Sequence, residues 1–372
     1  MFRKLILVAL ALTLASLAQA QDPDPRLVID LRNHNTAELH ARGQERALMA
    51  SGTLTKAGSD ALLTFAAQTR ASTVFVDLPE LTGTVGPRVL SQFRWREFLG
   101  RLHRQGLQVY AIAPHATPQT RYSSLVAALD YVVGFGQLGL PGESFDGLLI
   151  PDPGFTAPRT SSQEDFAGPE TGTSLGMGTD FPEGAPRPLD AGAGSEVISH
   201  LNSLLRFRNY YETRYPDLPL KIGAALPVWL TGRLYWGGSN EPAFSHFLRF
   251  ADFLVGNNVP FSTADIGSAS RAILAEAGAA QVPVYLQLEV RPVTTTSNVD
   301  AAVVMRSLHG RDQLFVEQLM SDVISQFGDL PGLGGFVIND WIHYRAMPTV
   351  RSMDPATVPA APIIGPRSSW WR

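Results

Sequence analysis

Apolar runs alternate with helix-like segments along most of the chain. The strand candidates are residues 27–31, 73–78, 108–113, 147–150, 220–226, 253–255, 282–288 and 335–338. Most are continuous apolar runs, the pattern of strands covered on both faces. Amphipathic stretches lie between them. Residues 89–105 are bounded by Pro87 and Gly106, a start and a stop signal for a helix. Residues 196–214 follow Ser195, a suitable N-cap, and halt before Pro216. Residues 264–280 and 313–327 predict further helices, the second closed by Gly328. Eight strands separated by helices or long crossovers predict an α/β fold, a single (β/α)8 TIM-type barrel. A doubly wound open sheet is the rival, because a linear pattern does not show closure. No glycine-rich dinucleotide or phosphate fingerprint follows any strand, so the pattern implies no cofactor.

Three segments depart from this rhythm. At the start, Arg3 and Lys4 precede an apolar run that ends near Leu17, followed by Ala18-Gln19-Ala20. This predicts a signal peptide over 1–20, cleaved before Gln21, and a secreted or periplasmic protein. The run is short of the ~20 residues a bilayer span needs, and no later stretch supplies one. Residues 155–194 are rich in Gly, Pro, Ser, Thr and acidic residues. They predict a flexible insertion after strand four, as a substrate-gating lid or a tolerated loop. Residues 352–372 form a Pro-rich tail ending in Trp370-Trp371-Arg372. The barrel itself is expected over 21–351.

Composition narrows the function classes. The chain has 372 residues, no cysteine, and a formal net charge of -4. Without cysteine there is no disulfide framework, thiolate metal site or cysteine nucleophile. The charge argues against a broad nucleic-acid-binding surface. Lys4, Lys56 and Lys221 are the only lysines, so arginine supplies nearly all the cations.

In a barrel, function gathers where the strands end. Those ends offer Asp30, Arg32 and Asn33 after strand one, Asp77 and Glu80 after strand two, and His115 after strand three. Asp152 follows strand four, Trp229 strand five, with Tyr235 and Trp236 beyond. Asn257 and Asn258 follow strand six, Glu289 and Arg291 strand seven, and Asn339, Asp340, Trp341, His343 and Tyr344 strand eight. Glycoside hydrolysis typically uses two carboxylates about 5–9.5 Å apart. Glu289 is the first candidate, because it closes the otherwise uncharged Val-Pro-Val-Tyr-Leu-Gln-Leu-Glu. A charge there must be paired, for instance with Arg291 or Arg32, or face a polar cleft. Asp152, in Pro-Asp-Pro-Gly, and Asp77 are candidates for the second acid. Asp30, Asn257, Asn339 and Asp340 are candidate hydrogen-bonders to substrate. Trp229, Trp236, Trp341 and Tyr344 could stack on sugar rings or fill helix seams. His103 and His200 read as ordinary helix residues. A metal site from Asp30, Asp77, His115 and Asp340 is geometrically possible, but no spacing specifies it.

Three segments carry a resemblance: LKIGAALPVWL (220–230), VPVYLQLEV (282–290) and GGFVINDWIHYRAM (334–347). With the helix over 313–327, they resemble exported, largely uncharacterised bacterial barrels related to glycoside hydrolases. The resemblance implies a glutamate closing strand seven, matched by Glu289. It implies a polar residue and then Asp-aromatic after strand eight, where Asn339, Asp340 and Trp341 stand. It also implies Asp-x-Glu-Pro after strand four and Asp-Tyr-Arg after strand six. Here the chain reads Asp146-Gly-Leu-Leu-Ile-Pro-Asp-Pro and Val255-Gly-Asn-Asn. The expectation is therefore twofold. The chain is either an exported glycoside-hydrolase-like barrel acting on a carbohydrate, or a barrel that kept the shape, lost the chemistry and binds a glycan or a partner protein.

Overall fold

Eight parallel strands close into a barrel in a computed structural model of the protein. The residues described are 45–50, 56–69, 71–78, 92–137, 142–153, 187–188, 191–231, 233–234, 242–257, 263–291, 305–306, 308, 310–339, 341–349 and 363–364. The barrel strands are β1 (Glu45–Ala50), β2 (Thr73–Asp77), β3 (Gln108–Ile112), β4 (Gly147–Ile150), β5 (Lys221–Pro227), β6 (Phe253–Asn257), β7 (Val284–Glu289) and β8 (Leu333–Asn339). The helices that follow them are α1 (Lys56–Gln68), α2 (Gln92–Arg104), α3 (Arg121–Gln137), α4 (Ala191–Arg214), α5 (Ala243–Phe250), α6 (Thr263–Ala279), α7 (Gln313–Phe327) and α8 (Trp341–Ala346). The barrel closes where β1 pairs with β8, Met49 lying opposite Asn339.

The (β/α)8 expectation holds, with one strand reassigned. The first barrel strand is Glu45–Ala50, which pairs with both β2 and β8, and not residues 27–31. Asp30, placed by the sequence at a strand end, lies outside the described residues, as does Arg32. The pattern misleads here for a physical reason. Residues 27–31 read Leu-Val-Ile-Asp-Leu, strong β-formers, whereas the true strand opens on Glu45-Arg46 and is rich in alanine. A second correction concerns α4. It begins at Ala191, so Ser195 lies inside it and is not its cap. Of the stretch 155–194, where a flexible insertion is expected, residues 155–186 lie outside the described residues, and Arg187–Pro188 pairs in parallel with Arg233–Leu234. In the tail, Ile363–Ile364 pairs antiparallel with Met305–Arg306. Among the described residues, no helix is long and apolar enough to cross a membrane.

Two apolar layers hold the barrel. The larger lies between strands and helices. The smaller fills the lumen with Ala47, Phe75, Tyr110, Ile112, Leu149, Ala225, Phe253, Val255, Tyr285 and Val337. Aromatic rings concentrate where the strands begin. Phe253 lies with its centroid 5.0 Å from that of Tyr110, 6.0 Å from Phe75 and 6.1 Å from Tyr285. Gly223 makes this possible, since a Cβ there would stand 2.2 Å from the Phe253 ring.

The same device braces the strand entrances twice. Asp146 immediately precedes β4, and its carboxylate accepts the Val109 N–H of β3 at 2.6 Å and faces His103 of α2 at 3.0 Å. Asp252 immediately precedes β6, and its carboxylate accepts the Ile222 N–H of β5 at 2.8 Å and pairs with Arg208 of α4 at 3.3 Å. Each aspartate thus satisfies an otherwise orphaned strand donor and ties a helix to the barrel.

Candidate functional site

Strands alternate their faces, so residues two apart point the same way. From the lumen members Phe253 and Val255, the inward series of β6 continues to Asn257. From Tyr285, that of β7 continues to Gln287 and Glu289. From Val337, that of β8 continues to Asn339, and from Phe75, that of β2 continues to Asp77. In four strands the lumen therefore changes from apolar at the base to amide or carboxylate at the mouth. Register brings these residues together. Glu289 lies opposite Asn339, and Pro227 opposite Asn257.

Glu289 is 4% exposed and closely held. The Arg291 main-chain N–H and Nε donate to its Oε1 at 2.7 and 3.0 Å, and Arg291 Nη2 donates to Oε2 at 3.2 Å. Asn339 Nδ2 donates to the same Oε2 at 3.0 Å. The strand end is pinned from outside as well, where the Leu308 N–H donates to the Glu289 carbonyl at 2.8 Å. Of the two partners the sequence offered, Arg291 holds Glu289, and Arg32 lies outside the described residues. Asp152 is likewise buried, and its Oδ2 accepts from Asn257 Nδ2 at 2.8 Å. Asp77 ends β2 half-buried. Three amides at this end keep buried atoms with no hydrogen-bond partner among the described residues. They are Asn257 Oδ1, Asn339 Oδ1, and both Oε1 and Nε2 of Gln287.

Next in sequence to Asp152, Pro153 helps to line a cavity of about 420 Å³, together with His115, Ala116, Thr117, Pro118, Arg121 and Glu196. His115 and Pro153 come just after β3 and β4, so the cavity opens at the strand exits. Arg121, the first residue of α3, is buried. Burial lowers its pKa, and the charges of Glu196 and Asp152 act against that. His115 is exposed on the cavity rim. The protein crowding one side of it, and then the Arg121 charge, push its pKa down to about 4. His200 of α4 is fully buried against the Phe247 ring. Burial and then Arg121 hold its pKa well below the histidine range. Both histidines are therefore neutral at pH 7, and the charges of Glu196 and Asp152 act on Arg121.

The remaining sequence candidates fall elsewhere. Trp341 and Tyr344 of α8 are buried in the strand–helix layer. Their ring centroids lie 6.3 and 5.6 Å from that of Phe65 on α1, and the Tyr344 hydroxyl donates to Glu317 at 2.7 Å. Packing takes up both rings. Trp229 lies in the short 3-10 turn Val228–Leu230 after β5, with its side chain outside the described residues. Trp236 and Asp340 are outside them altogether. Among the described residues, no three histidine or acidic side chains converge as metal ligands would. The sequence reading missed Arg121, Glu196 and Gln287 as site residues and took His200 for an ordinary helix position. Gln287 carried a signal, because it shares the face of Glu289 two residues earlier.

No protein-family model matches the chain, and no curated protein matches it. Solved structures similar to it include a GH18 chitinase from Pseudoalteromonas aurantia, 12% identical over 79% of this chain and 93% of that one, with a TM-score of 0.43. The catalytic domain of a β-amylase from Paenibacillus polymyxa is 10% identical over 83% and 96%, with a TM-score of 0.45. The PgaB (BpsB) glycoside hydrolase domain from Bordetella bronchiseptica is 14% identical over 80% and 95%, with a TM-score of 0.42. At these values the likeness has no bearing on activity, and the fold rests on the closed sheet itself.

Proposed function

We propose that this barrel is an exported protein that recognises a carbohydrate at its strand exits without cleaving it. The state of Glu289 carries the non-catalytic part. A retaining nucleophile must reach the anomeric carbon, and an inverting base must reach a water on the sugar's far face. Glu289 is buried, and both its oxygens accept hydrogen bonds from Arg291 or Asn339. It acts as a clamp between β7 and β8. The carbohydrate part is supported by the segments that resemble glycoside-hydrolase-like barrels and by the amides and carboxylates gathered at one end of the lumen. Hydroxyl-rich ligands need such paired donors and acceptors. The signal-like start of the chain supports export.

The test is a glycan array on the purified protein, followed by assay of bound glycans for newly released reducing ends. We expect binding without release, and binding that survives Glu289→Gln. Turnover by the wild type that Glu289→Gln abolishes would establish the hydrolase instead.

A further inference from the structure

Helices α3 and α4 pack side by side on the outer wall of the barrel, away from the lumen. Positions four apart on a helix share a face. Tyr122 and Asp130 therefore form a column on α3, and Arg206, Tyr210 and Arg214 form one on α4. Contacts across the groove show that the columns face each other. The Arg206 guanidinium lies 4.1 Å from the centre of the Tyr122 ring. The Tyr210 hydroxyl faces both Asp130 carboxylate oxygens, at 3.0 and 3.2 Å. Tyr215, the residue after α4, donates its hydroxyl to Asp130 Oδ1 at 2.8 Å. Its ring stands at 82° to that of Tyr210, with the Arg214 guanidinium 5.8 Å from its centre. Each column runs about 12 Å along the wall, at 1.5 Å per residue.

These contacts hold flat rings and planar heads in set orientations where solvent reaches them. Tyr122, Tyr210 and Tyr215 are half-buried, and Asp130, Arg206 and Arg214 are exposed. Side chains ordered in advance lower the entropy cost of binding. The ordering also leaves binding capacity. Among the described residues neither Arg206 nor Arg214 donates a hydrogen bond or forms an ion pair, and a carboxylate accepts more bonds than two phenols supply. Tyrosine and arginine together mark recognition surfaces more than plain solvated helix faces. The occupant follows from what the columns lack. The large apolar side chains exposed among the described residues are Leu205, Leu314 and Ile342. Leu205 is turned about 100° from Arg206 around α4, and the other two lie on other helices. A protein partner needs an apolar centre to desolvate. A saccharide needs ring faces with donors and acceptors beside them, which the columns supply.

We propose that the α3–α4 groove is a surface site for a hydroxyl-rich glycan chain, separate from the strand exits. Tyr210 and Tyr215 form its platform, and Arg206, Arg214 and Asp130 supply its hydrogen bonds. This rests on the carbohydrate reading above and adds a second place of contact. An open groove holds a single sugar weakly, so its effect shows with polymers that touch both places.

Affinity electrophoresis of the full chain tests it, in native gels cast with soluble starch, mixed-linkage β-glucan, glucomannan or xylan. Calorimetry with the short glycans that bind on the array runs alongside. At least one polymer should retard the wild type. Arg206→Ala combined with Arg214→Ala should weaken that retention by about tenfold, the scale of one lost charged hydrogen bond, and leave short-glycan binding unchanged. Tyr215→Phe keeps the ring and drops the tie to Asp130, so it should retain most of the polymer binding, whereas Tyr215→Ala should lose it. Both arginines are exposed, so their double variant is expected to fold and decides the matter should Tyr215→Ala not fold. Polymer retention that the arginine double variant leaves unchanged overturns the inference and leaves the carbohydrate reading standing. So does a wild type that binds short glycans but is retarded by no polymer. If no polymer retards it, and the array is also blank, the carbohydrate reading falls and takes this inference with it.

Discussion

At the strand entrances, Asp146 and Asp252 each serve a neighbouring strand's N–H and a basic helix side chain, His103 or Arg208. At the exits, Asn257, Gln287 and Asn339 keep polar atoms with no partner among the described residues. Both ends are polar and both rest on the same strands. The entrance groups, however, are matched to one another and to the backbone, so they complete the fold. Among the described residues, Asn257 and Asn339 are half matched and the Gln287 amide is unmatched. An unpaired buried polar atom costs free energy, and proteins rarely tolerate several together unless something else binds them. The lumen repeats the contrast, with rings around Phe253 at the base and amides and carboxylates at the mouth. Glu289 stands out because it lies at the exit end and is paired as fully as the entrance aspartates.

That exception yields the largest effect. If Glu289 is a clamp, Glu289→Ala strands Arg291 and removes the acceptor of Asn339. The cost of breaking a largely buried pair from one side is about 3–5 kcal/mol. Chemical denaturation should show a loss of that order. A loss below about 1 kcal/mol, the size expected of an exposed pair, would return Glu289 to the list of groups held ready for substrate.

How much of this was legible in the sequence depends on whether the cause was local. Seven strands could be read because most are near-continuous apolar runs between turn residues. The eighth, Glu45–Ala50, was missed because pairing on both sides, and not its own residues, makes it a strand. Glu289 was visible as a charge closing an uncharged strand. Gln287 was equally visible by its spacing, but a search for carboxylates passes over an amide. Arg121 was not visible. Its setting depends on Glu196 and Asp152, which come from α4 and the β4 exit, and no spacing links them. Trp341 and Tyr344 show the reverse limit. An aromatic that packs and one that stacks on a sugar look alike in sequence, and only neighbours such as Phe65 and Glu317 separate them.

A smaller effect tests the entrance end. Burial alone would lower the His103 pKa. The Asp146 hydrogen bond and charge, with the Gly142 and Leu99 carbonyls, outweigh it and raise the value above 6.5. The folded state therefore holds this proton more tightly than the unfolded state. The resulting stability is fully present below about pH 6.5 and is lost as the pH rises through the folded value. Comparing urea midpoints at pH 5.5 and 8.5 for the wild type and His103→Asn should isolate it. The wild type should lose up to about 1 kcal/mol more than the variant on going to the higher pH. An equal or opposite change would mean that Asp146 serves only the Val109 N–H.

The smallest effect discriminates most sharply between the two ends. Gln287 is 2% exposed, lies between β6 and β8, and offers two amide atoms with no described partner. Methionine has nearly its length and shape and no strong polar atom. If the fold alone were at stake, Gln287→Met would remove an unpaid desolvation cost. Stability should then stay level or rise by up to about 1 kcal/mol. At an entrance position such as Asp252, loss of the polar group would instead release a strand N–H and Arg208 together. A drop of more than about 2 kcal/mol in Gln287→Met would show that the amide is hydrogen-bonded within the folded protein. The mouth of the lumen would then be as complete as its base. Level stability combined with weakened glycan binding would mark the amide as retained for a ligand.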